Sequence, residues 1–410
     1  MHDIPVIIIG GGVSGLTCAN YLHKKGVGFL LLEASEEFGG RVKTASIDGY
    51  LLDRGFQVLQ TNYPEAKKLL DYETLNLKTF KSGAKIRKGD GFMTMQNPFR
   101  NPLAFIPMAF SSVGSFVDKL KIAKLIGEVK LASSEELISE EATTTYEYLK
   151  SYGFSEKIIN TFFRPFFAGV FLEEELTTGS NFFRFTFKQF FEGNAAVPEN
   201  GMQEIPSQLL NNLPASSIRK NVTVESIENN VIKLSDGTSL SAGKIVLATN
   251  PEATDKILNL QTERVYNSTT CLYFSADFSP MAGKKYLMLN PNRRQLVHHM
   301  CVPSDVSAAY APAGKTLISV TLRDAKGLSK IKQVEQTKRE LNEWFGSSVN
   351  AWRLLEHQEI PQAVSFYDGT TKSTDYQVAE NIYRCGDYLA YPSLNAAMKT
   401  GREVAELVAG

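Results

Sequence analysis

The chain has 410 residues, of which 43% are hydrophobic, with 44 basic and 44 acidic side chains. Zero net charge argues against nucleic acid as the main partner, which needs a basic surface. The length and composition fit an ordinary globular protein of two domains or one large interleaved unit.

The cysteines Cys18, Cys271, Cys301 and Cys385 form no C-x-x-C pair. Neither a dithiol centre nor a zinc finger is expected, no metal site is found, and the expected compartment is reducing. No run of 18 or more apolar residues occurs, so no spanning helix is expected. The first strand is expected to start close to Met1, so no signal peptide is expected. The expected location is cytoplasmic.

Ile4 to Ile9 is a short apolar run rich in β-branched residues and reads as a buried parallel strand. Gly10, Gly12 and Gly15 then spell G-x-G-x-x-G. The first glycine permits the tight turn, the second admits a pyrophosphate close to backbone, and the third lets helix and strand pack closely. A helix from about Ser14 to Lys25 follows, with Val13 and Ser14 at its start, and points N–H groups at that phosphate. Phe29 to Leu32 is the second strand. Glu33 stands at its end, 18 residues after Gly15, where a carboxylate can accept bonds from ribose hydroxyls.

The next residues, Glu33-Ala34 and then Gly39-Gly40-Arg41, choose between dinucleotides. A dinucleotide fold followed by E-A-x4-G-G-R resembles the flavin-containing amine oxidase superfamily, which includes phytoene desaturases and protoporphyrinogen oxidases. The resemblance implies FAD. Two glycines would let backbone pass close to an extended cofactor, with Arg41 a cation near the pyrophosphate or the flavin end. The stretch "DGYLLDRGFQVL" carries the family's D-x-G, so that Asp53, Gly55, Phe56 and Gln57 match by position. The resemblance puts this segment beside the flavin ring. Gln57 either reaches the ring or substrate or braces its own loop.

Residues 97–113 are apolar with three prolines, and no charge occurs from Asn101 to Val117. Two readings stand: a buried helix pair, or a channel lining or membrane-surface contact over 101–126, with Lys119, Lys121 and Lys124 facing anionic headgroups. Residues 162–191 hold 11 of the chain's 25 phenylalanines, which make either a thick core or an aromatic cavity.

Further along, a helix is expected near Pro206 and a three-stranded meander over 221–250, where Val224 matches the family's adenine-binding backbone. His298 and His299 are adjacent on an expected strand and so are expected on opposite faces, not as a metal pair, with a core or surface role expected and a catalytic one the alternative.

The C-terminal "NIYRCGDYLAYPSLNAAMKTGREVAELVAG" resembles the family's last FAD segment. Gly386 and Asp387 would meet the ribityl chain or pyrophosphate. Ser393 is a helix N-cap. The resemblance aims that helix at the flavin N1–C2=O edge, with Asn395, Ala396 and Ala397 beside it, where N–H groups stabilise the charge of the reduced ring. Tyr388 and Tyr391 are candidates for the aromatic pair that many family amine oxidases set before the flavin.

No second G-x-G-x-x-G is present to dock NADPH. The family's covalently flavinylated members carry a Cys before a Tyr in a late strand. Here Ser365 and Phe366 precede Tyr367, so non-covalent FAD is expected.

The expected fold is α/β: a discontinuous Rossmann-like FAD-binding domain (1–75, 196–255 and 376–410) with a mixed α+β substrate domain (76–195 and 256–375). The expected enzyme is an FAD-dependent oxidoreductase of the amine oxidase or phytoene desaturase type. It would take hydride from a small or lipophilic organic substrate, apolar or aromatic, by C–C desaturation or C–N oxidation. A reduced-flavin carotenoid-type isomerase and a non-catalytic FAD-binding protein are the alternatives.

Overall fold

In the computed structural model, which describes residues 4–96, 114–228, 230–260, 265–370 and 375–410, the apolar runs pair as parallel strands. Ile4–Ile9 lies between Phe29–Leu32 and Ser239–Leu247, parallel to both, with Ile7 and Ile8 fully buried. Ile218–Arg219 extends this sheet beyond Phe29–Leu32, and Ile382–Arg384 joins the second half of Ser239–Leu247 in parallel. Burial on both faces explains why these strands read as continuous β-branched runs and not as alternating ones.

The expected meander is present: Val224–Glu228, Val231–Leu234 and the first half of Ser239–Leu247 pair antiparallel. Gly237, at φ +85°, takes the turn. The eight strands of this sheet come from three separated parts of the chain, residues 4–32, 218–247 and 377–384.

Two helices pack on one face of that sheet, Val13–Lys24 and the C-terminal Leu394–Ala409. Gly401 marks their closest approach. A Cβ there would lie 2.4 Å from the Ser14 carbonyl oxygen, well inside contact distance.

A second sheet of seven strands starts from Arg353–Ser365 and runs through Tyr266–Ala276, Thr316–Leu322, Val297–Cys301 and Leu287–Leu289. It ends in the hairpin Gly83–Lys88 and Gly91–Gln96. Alternation sorts its side chains. Leu272, Phe274 and Val320 pack with Leu341 and Trp344 of the amphipathic helix Lys330–Phe345. Cys271, Tyr273 and Leu317 point the other way, into the core that contains the phenylalanine-rich helices. Those helices are Arg164–Phe171, preceded by a π turn at Ile159–Phe163, and Ser180–Glu192. Phe163, Phe167, Phe183 and Phe187 form one interleaved cluster, with ring centroids between 4.7 and 6.4 Å apart.

The uncharged stretch 101–113 lies outside the described residues. Just after it, the helix Phe116–Leu131 opens with a capping box between Ser115 and Asp118. Among the described residues no helix is long and apolar enough to cross a membrane.

The expectation that the two histidines face opposite sides fails. The ladder slips between Val297 and His299, where a bulge inserts a residue. Both imidazoles therefore come to rest against Gly169, with ring centroids 5.1 Å apart.

The close helix pair gives a stability prediction. Gly401→Val should lower unfolding free energy by about 1–3 kcal/mol through overpacking against Ser14. Gly127→Ala, on the open face of Phe116–Leu131, should raise it by about 0.4–1 kcal/mol, since a Cβ there meets nothing within 4 Å. Urea midpoints of the two variants check both signs.

Candidate functional site

The glycine turn after the first strand is shaped by backbone crowding. Gly10, at φ +109°, sits where a Cβ would lie 2.7 Å from the Ala248 oxygen. Gly12 caps the helix Val13–Lys24 and bridges to Gly39. A Cβ on Gly40 would come 3.3 Å from the Gly12 Cα. Gly15 meets the Gly10 carbonyl, as the third glycine of the motif should, and packs helix against strand behind the turn.

These residues open onto a continuous cavity of about 950 Å³. Its wall includes Gly10, Gly12, Val13, Ser14, Gly39 and Gly40. Glu33, Ala34 and, from the meander, Val224 also line it. The Glu33 carboxylate accepts the Gly11 N–H at 2.6 Å and the Ser35 N–H and hydroxyl at 2.9 and 2.7 Å. Those bonds fix its direction at the end of the strand.

Arg41 and Asp387 also line the cavity, and the Arg41 guanidinium bonds the buried Asp387 carboxylate. Arg41 also donates to the Ala363 oxygen at 3.3 Å. A cation and an anion from opposite ends of the chain are thus locked on one wall. Gly386 is held by its N–H to the Thr400 hydroxyl at 3.0 Å.

Gly55, at φ +73°, donates its N–H to Gln358 Oε1 at 2.8 Å. Phe56 projects from this turn and meets Phe80 and His299 edge-on, at 5.8 and 5.5 Å between centroids. Gln57 lines the cavity, but its amide nitrogen donates to the Arg41 and Arg54 carbonyls at 2.9 and 2.8 Å. That is the loop-bracing arrangement, with only Oε1 left for a ligand.

At the C-terminal segment the sequence reading needs correction. Ser393 lines the cavity and caps its helix, accepting the Ala396 N–H at 3.0 Å. Of the three helical residues expected there only Ala397 is on the wall, joined by Leu394, while Asn395 and Ala396 are not. Positions three apart share a helix face, so the two between them turn into the core. Asn395 there accepts the Glu65 N–H at 3.0 Å and donates to the Tyr391 hydroxyl at 2.9 Å. Tyr391 is likewise off the cavity, with its ring against Phe182 and Phe185. Tyr388 remains on the wall, so these two tyrosines do not make an aromatic pair across it.

The lining also has an aromatic and aliphatic part, with Phe162, Phe166, Phe190, Met95, Leu287 and Ile360. The sequence reading missed this strand face. Ile360, Thr269, His299 and Thr321 come from four different strands of the second sheet, and no local motif marks them. Phenylalanine density was the one available signal.

Asp53, from the D-x-G segment, does not touch the cavity wall. It ties three parts of the chain together. Its carboxylate accepts from Thr44 at 2.6 Å, from the Met202 N–H at 3.0 Å and from the Tyr310 hydroxyl at 2.8 Å. Tyr273 donates to its carbonyl at 2.8 Å. Burial nevertheless dominates over these bonds and raises the Asp53 pKa to about 6.

The residues present fit a flavin dinucleotide. A cradle without Cβ atoms, a helix N-terminus and an oriented strand-end carboxylate open onto one cavity. Together they define the class of dinucleotide-binding proteins with an attached apolar compartment. Residues 13–409 match the family of flavin containing amine oxidoreductases, and the chain belongs to that family. Over 176 residues it is 28% identical to protoporphyrinogen oxidase 2, chloroplastic/mitochondrial, of Arabidopsis thaliana. That match spans 40% of this chain and 32% of the relative, so the chain covers about a third of the relative's length. An oxidoreductase from Methanosarcina mazei superposes with a TM-score of 0.78 at 18% identity, over 98% of this chain and all of the other. Putrescine oxidase bound to putrescine superposes with a TM-score of 0.75 at 14% identity, over 99% of each chain. At these identities the two structures show a shared fold.

A raised Asp53 pKa is a stability statement. The folded carboxyl holds its proton to higher pH than the unfolded one, so its contribution is full below about pH 4 and is lost as pH rises to about 6. Two units correspond to about 3 kcal/mol. The stability difference between the native protein and Asp53→Asn should therefore shift in favour of the variant by up to about that amount from pH 4 to pH 6, and level off above. Chemical denaturation of both proteins across this range measures it.

Proposed function

We propose that the protein is an FAD-dependent oxidoreductase that binds its cofactor non-covalently and oxidises a largely apolar or aromatic organic substrate. The observation that carries this reading is the single cavity that joins a dinucleotide cradle to a phenylalanine-rich compartment.

In this reading Gly10, Gly12 and the first turn of Val13–Lys24 hold the pyrophosphate, Glu33 the ribose, and the backbone at Val224 the adenine. Arg41 and Asp387 flank the middle of the cofactor. The start of the C-terminal helix, at Ser393 and Leu394, faces the flavin edge. When bound, FAD supplies a hydride acceptor. The chain's own part is to orient the substrate, keep water out with the Phe162, Phe166 and Phe190 wall, and place helix-end N–H groups where negative charge develops. None of the four buried cysteines lines the cavity, which supports non-covalent attachment. The three chain parts that build the first sheet support a discontinuous FAD-binding domain, with the second sheet in the substrate domain.

Anaerobic bleaching of the flavin's visible band tests the reading. An oxidisable substrate from a panel of ring-bearing amines and lipophilic polyenes should bleach it. A flavin-loaded protein inert to both panels would remove the catalytic reading. Glu33→Ala should weaken FAD retention at least tenfold, measured by equilibrium dialysis.

Contact with a membrane surface belongs to the same proposal. Phe116, Val117 and Leu120 are 63%, 55% and 56% exposed on the first turns of one helix, which continues directly from the uncharged stretch. Cosedimentation with liposomes containing anionic lipid should fall severalfold in a Phe116→Glu/Leu120→Glu double variant. Equal binding by both proteins would contradict a lipid role for this helix.

A further inference from the structure

One buried tyrosine on the cavity wall has a hydroxyl without a protein partner. Tyr63 lines the cavity and is 9% exposed. Its hydroxyl makes no hydrogen bond among the described residues. The orphaned hydroxyls of Thr186, Thr269 and Thr321 on the same wall are sealed in protein, whereas that of Tyr63 keeps accessible surface. Tyr266, also on the wall, donates its hydroxyl to Glu252 at 2.8 Å. A buried polar group left without a partner is costly, and native structures rarely keep one without use.

The surroundings fix where that hydroxyl stands. Tyr63 closes a turn by donating its N–H to the Gln60 carbonyl at 3.0 Å. On one side of it, Asn62 donates to Gln189 and Glu192 at 3.2 and 3.0 Å. On the other, the Glu65 N–H reaches Asn395 at 3.0 Å. The ring stacks on Phe185, with centroids 6.0 Å apart and planes 13° from parallel. Tyr63 is thus held between two helices that both line the cavity: Ser180–Glu192, through Phe182, Thr186 and Phe190, and the start of Leu394–Ala409, through Leu394 and Ala397. Burial pushes the Tyr63 pKa up, so the phenol stays protonated and is a neutral donor.

We infer that Tyr63 is a specificity-determining residue of the substrate compartment, and that the compartment takes an apolar ring-bearing molecule with an acceptor oxygen, such as a ketone or ether, that receives the Tyr63 O–H. A pure hydrocarbon would leave the hydroxyl unpartnered. An ammonium ion fares worse. Among the described residues, the carboxylates on the lining are Glu33, in the glycine cradle, and Asp387, which holds Arg41. An ammonium beside Tyr63 would give up its hydration without gaining a free anion. This inference rests on the proposed function in taking the aromatic part of the cavity as the substrate site.

The test is isothermal titration of the flavin-loaded protein with three probes of like shape: 2-acetonaphthone, 2-isopropylnaphthalene and 2-(2-naphthyl)propan-2-ylammonium, an amine with no α-hydrogen to lose. The native protein should prefer the ketone at least tenfold over both others. Tyr63→Phe, which keeps the ring on Phe185 and removes only the hydroxyl, should abolish that preference while hydrocarbon affinity stays within about threefold. A second measurement needs no variant. In the native complex the carbonyl stretch of bound 2-acetonaphthone should lie below its position in hexane, as a hydrogen bond requires. The inference is overturned if the flavin-loaded native protein shows no preference or binds no probe, if the ammonium probe binds best, if the carbonyl stretch is unshifted, or if Tyr63→Phe keeps the preference. Loss of flavin from Tyr63→Phe would also overturn it, because Tyr63 would then be a cofactor contact. A native protein that holds no flavin would refute the parent reading, and the inference with it, before any probe is added.

Discussion

The whole arrangement depends on backbone approaching backbone where no Cβ fits. Gly10 lies against Ala248, Gly40 against Gly12, Gly15 against the Gly10 carbonyl, and Gly401 against Ser14. All but the Gly15–Gly10 contact join segments far apart in sequence. Together they draw the first strand, the G-G-R turn, the end of the meander and the C-terminal helix around one cavity. A nucleotide can lie close to peptide N–H groups only where side chains are missing, so the same crowding that packs the fold also makes the cradle.

The second sheet is tied to this cradle through polar links from single residues. Asp53 gathers Thr44, Met202, Tyr273 and Tyr310, and Gly55 is pinned by Gln358. The D-x-G segment is therefore a hinge point between the two sheets, and its Phe56 reaches into the aromatic compartment. A buried carboxyl with a raised pKa at such a junction costs stability near neutral pH. Its hydrogen bonds offset that cost in part and set the position of the turn.

The cradle was legible in the sequence because glycines forced by close approach stand at fixed spacing beside a strand and a helix. Glu33 was legible for the same reason, since a strand end is a local feature. The C-terminal helix was legible as an element through Ser393, but its facing was not. Which of Leu394, Asn395, Ala396 and Ala397 meets the cavity depends on helix rotation, set by distant partners such as Glu65 and Tyr391. His299 was harder still. Alternation predicts its face only if the strand is regular, and the ladder slip at His298 breaks that premise. The wall from Thr269, Thr321 and Ile360 is a product of strand order, which no short pattern encodes.

The account's central claim is that this cavity holds FAD without a covalent bond. Acid precipitation of the purified, FAD-reconstituted protein, after removal of free cofactor, tests it most directly. The account predicts that intact FAD, near one per chain, is released into the supernatant. A protein that retains no flavin, or one whose flavin stays with the precipitated polypeptide, would contradict it.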